Sequence, residues 1–117
     1  MSDSNIIPVI LAGGTGNPYF TTDTTAVLRA LQIRVDVVCK GTKVRGIYSE
    51  DPAKNPDAEF YEHVTFQDAI ERRFRVMDST AFSMCQDNGL PIRIFNVREH
   101  GNIERILRGE EIGTLVD

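Results

Sequence analysis

Short apolar runs alternate with amphipathic segments along this chain, and this alternation leaves few folds open to it. The run Ile6–Ala12 is apolar and ends in glycines, which is typical of a buried strand. Similar runs predict strands at Val35–Lys40, Pro91–Asn96 and Gly113–Val116. Strands that alternate with helices at this spacing predict an α/β fold: a three-layer α/β/α sandwich with a mainly parallel sheet.

Four helices are expected between these strands. The first covers Thr24–Ile33, and Thr65 with Asp68 forms a capping pattern at the start of the second. A third opens at Asp78, and a short fourth runs through Leu107. The helical residues expected to face the core are Val27, Ala30, Leu31, Ala69, Ile70, Ala81, Phe82 and Cys85.

Length and composition indicate one globular domain covering residues 1–117. The chain is 41% hydrophobic and 26% charged, with a formal net charge of −4. The basic run at Arg72, Arg73 and Arg75 is interpreted as a solvated helix end, so no nucleic-acid partner is expected. No stretch approaches the ~18 apolar residues that a membrane span needs, so no membrane partner is expected either.

The amino terminus, the cysteines and the histidines favour a cytoplasmic protein without a metal site of its own. The polar, acidic start Met1–Ser4 is unlike a secretory signal. Cys39 and Cys85 lie in apolar segments without CxxC spacing, which favours reduced core thiols. His63 and His100 have no ligand-spaced partners and are expected at the surface, as are Tyr61, Glu62, Glu110 and Glu111.

The first loop with unusual chemistry runs from Gly13 to Asp23, between a buried strand and a helix. Backbone N–H groups at the helix start favour an anion there, and glycines let the backbone approach it closely. Hydroxyls at Thr15, Thr21 and Thr22 can bond phosphate, sugar or base. The spacing fits neither a P-loop nor a dinucleotide fingerprint. The alternative is a glycine turn followed by a threonine cap.

A second such loop covers Lys40–Pro52 and again follows a strand. Lys40 and Lys43 can neutralise phosphate charge, Tyr48 can stack on a base, and Asp51 can accept from a ribose hydroxyl or a base amine. Each residue alone is more often a plain surface residue. Together at a strand end they favour a nucleotide pocket.

Five collinear stretches carry a family resemblance: GTGNPYFTTDT at 14–24, KGTKVRGIYSEDP at 40–52, RVMDSTAF at 75–82, LPIRIFN at 90–96 and GTLV at 113–116. They resemble the bacterial UMP kinases of the amino acid kinase superfamily. This resemblance implies an amino acid kinase fold, and phosphoryl transfer from ATP to UMP in pyrimidine nucleotide biosynthesis. It also implies Mg2+ carried by the nucleotide and a homo-oligomer, a hexamer in that family.

The resemblance also implies roles for single residues. Asp23 corresponds to a residue at the reacting phosphates, where it orients phosphate-binding lysines. Thr42, Tyr48 and Asp51 correspond to ATP contacts. The implied UMP contacts are Thr15, Gly16, Asn17, Pro18, Tyr19, Phe20, Thr21 and Thr22.

The chain departs from the family pattern in several places. Arg45 stands where the family usually has Asp, glycine at position 13 stands where alanine is more usual, and 97–102 differs from the usual run. Family members are also longer. The resemblance therefore implies a carboxyl-terminal half, with the amino-terminal half and its phosphate-binding lysine and glycine loop absent, and an isolated chain that is inactive.

Three other functions remain open on the sequence alone. The chain can be a non-catalytic remnant that binds a nucleotide or a partner chain. The run 9–16 also resembles the glycine loop of sugar-phosphate nucleotidyltransferases, although no basic residue follows it soon after the glycines. A superfamily kinase acting on amino acids or carbamate is disfavoured because 15–22 matches the uridylate branch.

Overall fold

The four strands and four helices that the hydrophobic pattern predicts occur in the predicted order, and three further two-residue strands lie between the second strand and the second helix. The structure is a computed structural model that describes residues 8–11, 23–74, 76–77 and 79–117. The strands are β1 (Pro8–Leu11), β2 (Val37–Thr42), β3 (Ile47–Tyr48), β4 (Phe60–Tyr61), β5 (His63–Val64), β6 (Ile92–Asn96) and β7 (Thr114–Val116). The helices are α1 (Asp23–Gln32), α2 (Phe66–Glu71), α3 (Ser79–Asp87) and α4 (Asn102–Leu107).

One mixed sheet forms the middle of the molecule, with the strand order β1-β2-β6-β7-β5. The pairs β1–β2, β2–β6 and β5–β7 are parallel, and β6–β7 is antiparallel. β3 and β4 form a separate antiparallel hairpin. The predicted mainly parallel sheet is therefore confirmed.

The sheet is covered by helices on both faces because alternate residues of each strand point to opposite sides. Val38 and Ile94 pack with Val27 and Ala81, which belong to α1 and α3. On the other face, Cys39 and Phe95 pack with Ile106 of α4. The three-layer α/β/α sandwich is confirmed.

Helix boundaries follow local capping and helical periodicity. The Thr65 hydroxyl accepts a hydrogen bond from the Asp68 N–H at 2.9 Å, which confirms the predicted cap of α2. The inward placement of Ile70 is wrong, because its side chain is 48% exposed. α2 has only six residues, and Phe66 and Ala69, three positions apart, already form its buried face. Asp78 lies outside the described residues.

The stretch after β2, expected to be a loop, contains the β3–β4 hairpin. Strands of two residues are too short to show an alternating pattern, so the sequence did not predict them.

The predicted solvent-facing placement of Tyr61 is wrong. Tyr61 is half-buried, with its ring centroid 5.9 Å from that of Phe74. β2 covers Val37–Thr42 rather than 35–40, although Val35 is buried as expected.

The two cysteines are core residues, as predicted. Both thiols are free and buried, and burial raises the pKa of Cys39 and of Cys85 to about 11. His63 and His100 are exposed, also as predicted. Over the part of the chain that is described, every helix is too short or too polar to cross a bilayer.

Candidate functional site

The carboxyl ends of the parallel strands carry both of the loops singled out above. β1 ends at Leu11, and α1 begins at Asp23 on the far side of the first loop. β2 ends at Thr42 and leads into the second loop. β6 ends beside β2, with Asn96 opposite Thr42 in the ladder. Ligands of open α/β sheets bind at this edge, because the loops of neighbouring strands meet there.

The two loops are joined by an ion pair between Asp23 and Lys40. Lys40 Nζ donates a hydrogen bond to Asp23 Oδ2 at 2.7 Å. The side chains are only 16% and 18% exposed, for Lys40 and Asp23 respectively. Little solvent or salt screens a pair with so little exposure, so its geometry is better defined than that of a surface pair. Asp23 also occupies the first turn of α1, where the helix dipole favours a carboxylate.

A cavity of about 490 Å³ lies between the second loop and the sheet. Thr42 stands two residues after Lys40 and therefore on the same face of β2. Thr42, Tyr48 and Asp51, the three residues predicted to contact ATP, all line the cavity. Its volume falls within the range of small-molecule sites, about 300–1,000 Å³. The structure thus brings the three predicted residues to one cavity.

Apolar side chains form much of the remaining wall. They come from the hairpin, from the segment before α3 and from the middle of the sheet, and they are Ile47, Phe74, Val76 and Ile94. An apolar wall with a few polar groups at its edge suits a planar base that carries polar substituents. Phe74, Val76 and Ile94 were not predicted as site residues, because apolar residues give no signal in the sequence beyond that of a core.

Thr42 and Asp51 also hold their own loops in shape. The Thr42 hydroxyl donates to the Val44 carbonyl at 2.8 Å. Asp51 Oδ1 accepts from the Ala53 N–H at 2.9 Å, which stabilises the turn after the loop. Asp51 is exposed, so the carboxylate is accessible from solvent. Any ligand contact made by these two residues therefore adds to a local structural role.

Tyr48 is held by its neighbours on the hairpin. Its ring meets that of Phe60 edge to face, with centroids 5.4 Å apart. The guanidinium carbon of Arg45 lies 3.9 Å from the centroid of the same Phe60 ring. Arg45, the residue that departs from the family pattern, therefore contacts the hairpin that carries Tyr48.

The predicted UMP contacts Thr15, Gly16, Asn17, Pro18, Tyr19, Phe20, Thr21 and Thr22 all lie outside the described residues. Asp23, directly after them, marks where that loop enters α1. The charge of Lys40 is visible in the sequence, whereas its partner Asp23 is visible only in the structure. Lys43, the other lysine of the loop, is exposed, whereas Lys40 is largely buried; neither lysine lines the cavity.

A larger cavity, about 710 Å³, lies on the opposite face of the sheet. Arg93 and Phe95 line it, whereas the intervening Ile94 lines the smaller cavity. Arg45, Arg105 and several glutamates also line it, but none of the predicted site residues does. Size alone therefore does not identify the nucleotide site, and the smaller cavity is favoured because Thr42, Tyr48 and Asp51 line it.

Comparisons with known proteins show the family and the fold of this chain. The model of the amino acid kinase family matches residues 1–96. A uridylate kinase of Serratia proteamaculans is 56% identical over 108 residues, which are 92% of this chain and 45% of that protein. The crystal structure of UMP kinase from Bacillus anthracis superposes with a TM-score of 0.77 at 27% identity, covering 99% of this chain and 60% of that one. A UMP kinase structure from Ureaplasma parvum gives a TM-score of 0.76 at 28% identity, covering 97% and 61%.

The chain spans about 45% of the length of the curated relatives that it matches. The similarity therefore concerns one part of those proteins.

Proposed function

Because this chain belongs to the amino acid kinase family, we propose that it is the nucleotide-handling part of a UMP kinase. The reaction is phosphoryl transfer from ATP to UMP, which yields ADP and UDP for pyrimidine nucleotide synthesis. Identities of 54–56% to uridylate kinases over 92% of this chain support the choice of UMP within the family.

The observation that carries the proposal is the Asp23–Lys40 pair, whose lysine lies on the same strand as Thr42, a residue of the cavity wall. Phosphoryl transfer depends on positioning and on neutralising the charge of the transferring group. Lys40 supplies a positive charge, and Asp23 fixes the direction of its ammonium group through a 2.7 Å hydrogen bond. In the proposed mechanism, Lys40 stabilises the phosphoryl oxygens and Asp23 keeps that lysine in place during the transfer.

The two substrates occupy different sides of this pair in the proposal. The adenine nucleotide lies in the cavity lined by Thr42, Tyr48 and Asp51, with its base against the apolar wall. UMP binds to the loop that contains Thr15–Thr22. The γ-phosphate of ATP then meets UMP near Asp23 and Lys40.

Mg2+ enters this scheme on the nucleotide. The described parts of the chain contain no group of three or more His, Cys, Asp or Glu residues that can hold a metal ion. Mg2+ in kinases keeps several waters and uses substrate phosphate oxygens, so it does not need such a cage. When bound, the ion neutralises phosphate charge. Glu50 and Asp51, both exposed and both lining the cavity, would hold its water shell.

We further propose that residues 1–117 correspond to the carboxyl-terminal half of the enzyme. The match covers 45% of the length of the uridylate kinase relative, which supports this division. The family resemblance also favours a cytoplasmic, hexameric assembly. The second candidate function is that of a non-catalytic remnant that binds a nucleotide or a partner. It is favoured by the same observation, that the match covers 45% of the length of the relative.

Calorimetric titration of MgATP into the chain tests the proposed nucleotide site. Saturable binding that Lys40→Ala weakens, while the matched exposed variant Lys43→Ala does not, supports it. Absence of nucleotide binding to the folded chain would refute it. A mass determination of the native protein then separates the two candidates, because a kinase needs a companion half and a remnant does not.

A coupled ADP-release assay tests the division into halves. We expect the 117-residue chain alone to show no turnover near the 1–100 s⁻¹ that is typical of kinases. Turnover in that range would show that the essential phosphate-binding groups all lie in this chain.

A further inference from the structure

The β3–β4 hairpin forms one side of the nucleotide cavity, yet it is not part of the main sheet. Each of its strands has two residues, and Ile47 pairs with Tyr61 while Tyr48 pairs with Phe60. An isolated two-stranded hairpin is marginally stable at best in water. Another part of the molecule must therefore hold the hairpin if Tyr48 is to keep its position.

Thr114 provides this link from β7. Its hydroxyl accepts a hydrogen bond from the Ile47 N–H at 2.9 Å and donates one to the Tyr61 carbonyl at 2.5 Å. Ile47 and Tyr61 are directly opposite each other in the hairpin, so one hydroxyl bonds to both strands at the same rung. Thr114 is fully buried, and water does not compete for either bond.

The hairpin backbone approaches Thr114 so closely that a glycine is required beside it. A Cβ at Gly46 would overlap the Thr114 hydroxyl and would lie 2.9 Å from the Phe60 ring. The hairpin is therefore tightly packed against Thr114 of β7 at both Gly46 and Ile47. It also lies next to the cavity, because Thr114 is the ladder partner of Ile94, which lines the cavity wall.

We propose that Thr114 is a positioning residue of the nucleotide site. Its hydroxyl fixes the hairpin against β7 and thereby sets Tyr48 and Ile47 at the cavity that receives the adenine nucleotide. Thr114 does not touch the nucleotide in this arrangement. The inference rests on the proposed function, since it assigns the cavity to the adenine nucleotide.

The test compares Thr114→Val, which keeps the shape and removes the hydroxyl, with Thr114→Ser, which keeps the hydroxyl. We expect Thr114→Val to raise amide hydrogen exchange at Ile47 and Ser49 and to weaken MgATP binding by about tenfold, the scale of one lost buried hydrogen bond. Thr114→Ser should restore both to near the values of the unaltered chain. Gly46→Ala, which displaces the same hydroxyl from the hairpin side, should act like Thr114→Val.

A matched control separates positioning from general loss of stability. Val116→Ala removes buried methyl groups from the same strand but leaves the Thr114 hydroxyl in place. It should lower the melting temperature without changing MgATP affinity well below that temperature. An equal loss of affinity in Val116→Ala would overturn the inference, because it would assign the effect of Thr114→Val to the fold.

The remaining outcomes are also decisive. Unchanged exchange in Thr114→Val shows that the hydroxyl does not hold the hairpin. Faster exchange with unchanged MgATP affinity shows that the hairpin position does not matter to the nucleotide. If the unaltered chain binds no MgATP, the proposed function fails and takes this inference with it. In that case the exchange data still report whether the hydroxyl holds the hairpin.

Discussion

Asp23 and Lys40 are separated by 17 positions in the sequence, yet their side chains form a hydrogen bond of 2.7 Å. Asp23 starts the helix α1, and Lys40 lies in the strand β2, two residues before its end. The pair therefore connects the loop proposed for UMP with the cavity proposed for ATP. Its loss should affect the chemistry more than the fold, which makes it the first residue pair to test.

Asp23→Asn should lower kcat of the active assembly by about 10²-fold or more, the scale of a lost electrostatic contact. Asn is a good capping residue and has a similar size, so the melting temperature should change little. KM for either nucleotide should change far less than kcat. Steady-state kinetics together with thermal melting measure both effects. Near-normal kcat with a lowered melting temperature would leave Asp23 with a helix-capping role only.

Asp51→Ala and Tyr48→Ala should each weaken ATP binding and leave UMP binding unchanged. Asp51 also caps a turn through its hydrogen bond with the Ala53 N–H, and Asp51→Asn serves as the matched control. Asn can keep that cap while losing the charge, so a loss shared by Ala and Asn assigns the effect to the carboxylate. Calorimetric titration with each nucleotide measures it. Parallel loss of ATP and UMP affinity would indicate unfolding and contradict the assignment.

The isolated chain should self-associate. Among the described strands, β1 pairs with β2 alone, so one edge of β1 carries backbone N–H and C=O groups that are available to another chain. Sedimentation velocity at about tens of micromolar should show species larger than a monomer. Arg in place of Ile10, a charge in the middle of this edge strand, should reduce the association. A stable monomer of the unaltered chain would contradict the prediction.

Stability should fall as the pH rises from about 9 to about 11. Burial raises the pKa of Cys39 and of Cys85 from 9.0 to about 11. The unfolded chain therefore loses thiol protons in this range while the folded chain keeps them, which favours unfolding. Denaturant titrations at several pH values measure the slope. The double variant Cys39→Ala, Cys85→Ala should have a shallower slope, and an unchanged slope would assign the effect to other groups.

The sequence alone predicted the parts of the fold that local patterns encode. Apolar runs located four of the five strands of the main sheet to within two residues, and Thr65 with Asp68 marked the start of α2; the two-residue strand β5 was not predicted. The same patterns placed Thr42, Tyr48 and Asp51 in one loop at a strand end. These signals depend on neighbouring residues only, and neighbouring residues are what a sequence shows directly.

Tertiary structure decided the contacts that join distant segments. Nothing in the sequence pairs Asp23 with Lys40, or shows that Thr114, 67 positions from Ile47, bonds to the hairpin. The hairpin itself was missed because strands of two residues have no periodicity. Ile70 was placed in the core by its residue type, but α2 buries its face through Phe66 and Ala69. The chemistry of each residue and the local periodicity can be read from the sequence. The partner of each side chain depends on how the strands are ordered in the sheet.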